Sequence, residues 1–167
     1  MVGFGPSLGG DVDEAQAALG LGRAGTVPGS ELDRLLVGLE RDLWVLMAEL
    51  ATAPEHRHRL VAGRTLVTGE MVAALEPLID DLTGRFDPPT EFVLPGQIPI
   101  ASCLDLARTV VRRAERSALA VAVAGSAVVP YLNRLSDLLW TMARWQEGQS
   151  LRTRESPARQ SPPRGTE

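Results

Sequence analysis

Three short blocks concentrate the side chains of this 167-residue chain that could do chemistry. The run Ala107-Arg-Thr-Val-Val-Arg-Arg-Ala-Glu-Arg116 sets Arg112, Arg113, Glu115 and Arg116 inside what otherwise reads as buried helix. Tyr131-Leu-Asn-Arg-Leu-Ser-Asp137 supplies Asn133 and Asp137, and Phe92-Val-Leu-Pro-Gly-Gln97 supplies an aromatic ring beside a turn. Charge that desolvates with an apolar helix is costly unless it is paired or serves a ligand. Clustered guanidinium groups suit an anion of spread charge, because each planar fork can bond two oxygens at once.

At about 100° per residue, Asp105, Arg108, Arg112, Glu115 and Arg116 fall within one stripe of a helix. Leu106, Val110, Ala114, Ala118 and Val121 lie on its other faces. A second helix carries Asn133, Asp137, Trp140 and Arg144 on a narrower stripe, opposed by Leu135, Leu138, Leu139 and Met142. Pattern alone leaves two readings open. The stripes are solvated faces braced by surface ion pairs, or they meet and enclose a polar site. Other candidates carry less. His56 and His58 lie in a charged linker, Asp80 and Asp81 point different ways from a helix, and Cys103 has no metal-ligand company. All 17 basic residues are Arg, so a phosphate loop of the Walker type, which needs Lys, is excluded.

Five helices are expected to position these groups. The first starts with Asp11 as N-cap and breaks before Gly25. The second is capped by Ser30 and carries Leu32, Leu36, Leu39, Leu43 and Leu46 at helical spacing. The third covers about Gly69 to Arg85, with Pro77 forcing a kink or a restart. The fourth runs from Pro99 to about Ala124, and the fifth from Pro130 at its first position to about Glu147. No strand-period segment beyond Glu91–Leu94 is visible. The fold class is therefore all-α, an up-and-down bundle of four to five helices over residues 11–147. A flexible Gly-rich leader is expected over 1–10 and a disordered Arg/Ser/Pro tail over 148–167.

Aromatics are 4% of the chain, so its core must be aliphatic. The formal charge of −4 conceals an acidic body: residues 1–147 hold 13 Arg against 19 acids, or −6. That argues against general nucleic-acid binding, which needs a basic stripe. The longest apolar run, Ala118 to Val129, falls short of the roughly 20 residues that span a bilayer. A cytoplasmic protein without nucleic-acid or membrane partners is the expectation.

The three blocks together, with Asp11-Val-Asp-Glu14 upstream, resemble the ATP:corrinoid adenosyltransferases of the propanediol-utilisation type. The Arg-Arg-x-Glu-Arg pattern is met by Arg112, Arg113, Glu115 and Arg116, and Asn-Arg-Leu-Ser-Asp by residues 133–137. The resemblance implies a ferritin-like helical bundle that assembles as a homotrimer, with ATP, Mg²⁺ and cobalamin bound where subunits meet. It implies that Co(I) of the corrinoid attacks C5′ of ATP and expels triphosphate. Arg112 would be catalytic, and Arg112, Glu115, Arg116, Asn133 and Asp137 would line the nucleotide site. Arg108 would pair with Asp13 of a neighbouring subunit, and Phe92 would press on the lower face of the corrin. An adenosylcobalamin-dependent enzyme is a further partner of this kind, and no metal is held by the protein itself.

Asp105 stands where that family carries a His, and is expected to add negative charge near the triphosphate. The family's Thr- and Gly-rich triphosphate segment with its Lys has no match in residues 1–10. The alternative expectation is therefore a catalytically impaired paralogue that binds corrinoid or nucleotide, or serves assembly.

Overall fold

The computed structural model describes residues 6–120 and 123–148, with side chains from residue 9 onward. Six α-helices occupy most of that span: α1 (Pro6–Ala24), α2 (Glu31–Ala51), α3 (Gly69–Ala73), α4 (Leu75–Thr83), α5 (Pro99–Leu119) and α6 (Val128–Glu147). A 3₁₀ turn, Pro54–Arg59, carries His56 and His58. The expected all-α class is what the chain adopts, and no strand element occurs among the described residues.

α2 forms where its caps and periodicity place it. Ser30 accepts a hydrogen bond from the Asp33 N–H at 3.2 Å, and Glu31 and Asp33 face the positive end of the helix. Leu32, Leu36, Leu39, Leu43 and Leu46 are all buried. The third expected helix divides in two at Ala74. Pro77 has no N–H to offer the carbonyl of residue 73, so the ladder breaks there and α4 restarts.

Three boundaries differ from expectation. α1 begins at Pro6, so Asp11 is an interior residue and not the cap, and residues 6–10 extend the helix. The Asp11 carboxylate is drawn instead to α5, accepting from Arg113 Nε at 2.9 Å and Ser117 Oγ at 2.7 Å. α5 ends at Leu119, short of Ala124, ahead of a turn in which Gly125 takes the left-handed backbone (φ +83°) that a side chain would strain. α6 starts at Val128, so Pro130 is its third residue. That position is still within the first turn, where an N–H has no helical partner. Residues 1–5 of the leader and 149–167 of the tail lie outside the described residues.

α5 packs on α1 along one side and on α6 along the other; α1 also packs on α2, and α4 on α6. Small residues permit the close α1–α5 approach. A Cβ on Gly22 would come within 3.3 Å of Cys103 Cβ, and Ala15, Ala107 and Ala114 are fully buried. The core is aliphatic, with Leu19, Leu36, Leu43, Leu104, Leu135 and Leu139 among its buried side chains. Two polar ties link α2 to the α6 end of the bundle. Tyr131 Oη donates to Asp42 at 2.8 Å, and Glu49 gathers the connections around it as described below. The helices thus hold the two polar stripes, on α5 and α6, against each other.

Candidate functional site

The α5 and α6 stripes meet at Asn133, whose Nδ2 donates to Glu115 Oε1 at 2.9 Å. Arg134 Nη2 donates to Asn133 Oδ1 at 3.1 Å and pairs with Asp137 at 2.9 Å. Asn133 is thus fixed in orientation, its amide directed at Glu115 and its carbonyl at a cation. Arg112 and Arg116 are exposed beside this pair, and neither makes an ion pair with a described residue. Arg116 Nη1 donates only to the Arg112 carbonyl, at 3.0 Å. Two guanidinium groups without carboxylate partners, next to an oriented carboxylate–amide pair, form an anion-receptive edge.

Arg113 belongs to the same sequence motif but turns the other way. It binds Asp11 and Glu14 on α1, and the hydrogen bond from Asp11 holds its guanidinium above the ordinary arginine range. The motif therefore divides between the two faces of α5: Arg113 anchors the bundle, while Arg112 and Arg116 look outward. Behind Asn133, burial pushes the Tyr131 hydroxyl well above its usual range, with the Asp42 charge and hydrogen bond adding to it. Burial also raises the Asp42 carboxyl, against the opposing pull of the Tyr131 hydrogen bond.

About 10 Å along α5 toward its N-terminus, a cleft of about 890 Å³ opens between α5, α6 and the connection that precedes α5. Phe92 stands on its lip at 87% exposure, and Leu106, grouped by periodicity with the buried faces, is exposed and lines it too. An aromatic ring left in water is costly to keep without an occupant. Asp105, Arg108, Trp140 and Arg144 form the polar part of the lining. Asp105 is buried and bonded to Arg144 Nη2 at 2.7 Å, which corrects the expectation of an open negative charge near a triphosphate. Its charge is cancelled across the α5–α6 seam.

Asp13 is exposed and makes no ion pair with Arg108 of its own chain. Periodicity had set Trp140 and Arg144 on the α6 stripe without a role. Their place in the cleft comes from a partner 39 residues away, for which a single sequence holds no local signal. Among the described residues no three His, Cys, Asp or Glu side chains converge, so no protein cage for Mg²⁺ is formed there. No helix among them is long and apolar enough to cross a membrane.

Comparisons with known proteins agree with this geometry. Residues 7–146 match the family model described as Cobalamin adenosyltransferase. A Corrinoid adenosyltransferase of Mycobacterium tuberculosis is 38% identical over 143 residues, covering 80% of this chain and 71% of that protein. The Corrinoid adenosyltransferase PduO of Citrobacter freundii is 36% identical over 146 residues, covering 83% of this chain but 41% of its own length. Among solved structures, a phenylalanine-to-alanine variant of a PduO-type ATP:corrinoid adenosyltransferase from Lactobacillus reuteri, complexed with cobalamin and ATP, superposes with a TM-score of 0.76. It is 27% identical and covers 88% of this chain and 84% of its own. A motif split between anchoring and outward arginines, an aromatic lip over a cleft and a match over nearly the whole bundle converge on one conclusion: the chain belongs to the cobalamin adenosyltransferase family.

Proposed function

We propose that this protein transfers the 5′-deoxyadenosyl group of ATP to the cobalt of a reduced corrinoid, releasing triphosphate. The observation that carries the reading is the Asn133–Glu115 hydrogen bond, which joins the α5 and α6 motifs beside the outward guanidinium groups of Arg112 and Arg116. In the reaction the electron pair of Co(I) forms a Co–C5′ bond as the C5′–O bond breaks, and the pair from that bond leaves with triphosphate. Arg112 and Arg116 stabilise the charge that develops on the leaving group. Glu115, held by Asn133, orients the nucleoside, and Asp137 keeps Arg134 on the Asn133 carbonyl. Phe92 covers the corrin face from the cleft lip, and an apolar ring there excludes water from the axial position of cobalt.

Assembly as a homotrimer completes the site in this reading, with Arg108 meeting Asp13 of a neighbouring subunit. The corrinoid and ATP are the ligands, Mg²⁺ arrives with ATP, and the product passes to an adenosylcobalamin-dependent enzyme in the cytoplasm. The similarity to corrinoid adenosyltransferases along most of their length favours turnover over an impaired paralogue.

The test is to mix the protein with ATP, Mg²⁺ and chemically reduced cobalamin and to follow adenosylation by absorbance. Product should form, and Arg112→Ala should lower kcat/KM roughly 10- to 150-fold, the worth of one or two charge-assisted hydrogen bonds. Absence of product from the unaltered protein, with corrinoid still bound, would overturn adenosyl transfer and leave a corrinoid-binding bundle.

A further inference from the structure

Four charged side chains meet at the cleft floor. Arg144, 1% exposed, is held from two sides: by Asp105 Oδ2 at 2.7 Å, and by Glu147 Oε2 at 2.9 Å on its Nε. Its guanidinium lies over the Trp140 ring, 6.0 Å from the centroid. The other oxygen of Asp105, Oδ1, faces Arg108 Nε at 3.8 Å. That separation is an ion pair but too long for a hydrogen bond. Arg108 Nε is itself buried and has no hydrogen-bond acceptor among the described residues.

We propose that Asp105 is a positioning residue that holds the Arg108 guanidinium at the cleft floor for corrinoid binding. The proposal rests on the adenosyltransferase reading above. Locking α5 to α6 requires only Oδ2, and Glu147 already gives Arg144 a carboxylate. Oδ1 therefore serves something else, and Arg108 is the cation it faces. Because the guanidinium approaches Asp105 through Nε, its fork is steered by charge while its hydrogen-bonding capacity is not consumed. Donors so held can meet an acceptor that enters the cleft, such as a peripheral amide carbonyl of the corrin. The four charges sum to zero, so the floor keeps this arrangement without repelling an uncharged macrocycle. Removal of the Asp105 charge would leave Arg144 with Glu147 and Arg108 with no carboxylate among the described residues of its own chain.

A double-mutant cycle tests the assignment, using Asp105→Asn, Arg108→Met and the pair, with KM for cobalamin and KM for ATP measured separately. Quenching of Trp140 fluorescence by cob(II)alamin, with ATP present, gives binding directly. Asp105→Asn should raise KM for cobalamin about tenfold and leave KM for ATP unchanged. In the Arg108→Met background the same change should add nothing, since the group it positions is gone. Asp105→Glu, which keeps the charge, should recover most of the loss. Multiplying effects in the double variant, or equal losses for both substrates, would show a structural role only and overturn the proposal. Should Asp105→Asn not fold, the cycle runs on Asp105→Ser, whose smaller side chain leaves Glu147 on Arg144. A protein that binds cob(II)alamin but makes no adduct would sink the proposed reaction while the cycle stays readable through quenching.

Discussion

Replacing Glu49 by Gln removes one charge from a site where a carboxylate is fully used. Glu49, on the last turns of α2, is 1% exposed. Its Oε1 accepts from Arg57 Nη2 and from Ser126 Oγ, each at 2.7 Å, and its Oε2 accepts from the Val67 N–H at 2.7 Å. Three connections are thereby tied to α2: the 3₁₀ turn, the strand of chain before α3 and the turn before α6. Glutamine offers one acceptor oxygen and one donor amide. If the oxygen keeps Arg57 and Ser126, the amide faces the buried Val67 N–H, donor against donor. A buried donor left without a partner costs about 1–3 kcal/mol. The bonds from Arg57 and Ser126 also lose their charge assistance, a further ~1 kcal/mol after allowing for the exposed part of Arg57. The sum is about 3 kcal/mol, which for a chain of this size lowers Tm by roughly 6–12 °C. The assay is circular dichroism at 222 nm through thermal and urea unfolding, at equal protein concentration for both proteins. Ser126 also accepts from the Val128 N–H at 3.3 Å, so the loss should couple to Ser126→Ala and not simply add to it. A cost below about 1 kcal/mol, or full additivity with Ser126→Ala, would refute the argument.

Asp42 gives a pH test. Its folded carboxyl is raised by burial, so the fold binds its proton more tightly than the unfolded chain does. Its contribution is present below the ordinary carboxylate range and is lost as pH rises through the folded value. Asp42→Asn should therefore flatten that limb of the stability–pH curve measured by urea unfolding, and an unchanged slope would contradict it. Arg113→Met removes an exposed pair with Asp11 and should cost less than about 1 kcal/mol. It should leave ATP affinity intact in a calorimetric titration, whereas Arg112→Ala weakens it. Phe92→Ala, at an exposed site, should keep Tm within the range of a surface change, about 0.5 kcal/mol. Its kcat for adenosylation should fall tenfold or more, about 1.4 kcal/mol of barrier, as measured by single-turnover absorbance.

Local rules were legible in the chain and mostly kept. Ser30 caps α2, Pro77 splits the third helix, Pro99 opens α5, and the leucines of α2 are buried at the positions their spacing names. The meeting of the α5 and α6 stripes, one of two readings that periodicity left open, holds at Glu115 and Asn133. Three features were not legible. Asp11 has the chemistry of a cap, yet it lies within α1 because helix continues upstream and Arg113 and Ser117 claim its oxygens. Leu106 falls on an apolar face by angle, yet that angle faces the cleft. Glu49 reads as one more surface acid and is the most fully bonded carboxylate of the α2 end.

The sequence by itself determined the helical class, the aliphatic core and the set of charged groups on α5 and α6, because these depend on spacing within about four residues. Tertiary structure alone decided which partner each charge takes. Arg113 reaches back 102 residues to Asp11, Arg144 reaches 39 residues to Asp105, and Arg112 is left outward for a ligand. Helical periodicity fixes the direction a side chain leaves its own axis. It does not fix which neighbouring helix stands there, and at this site that neighbour decides whether an arginine braces the bundle or meets a substrate.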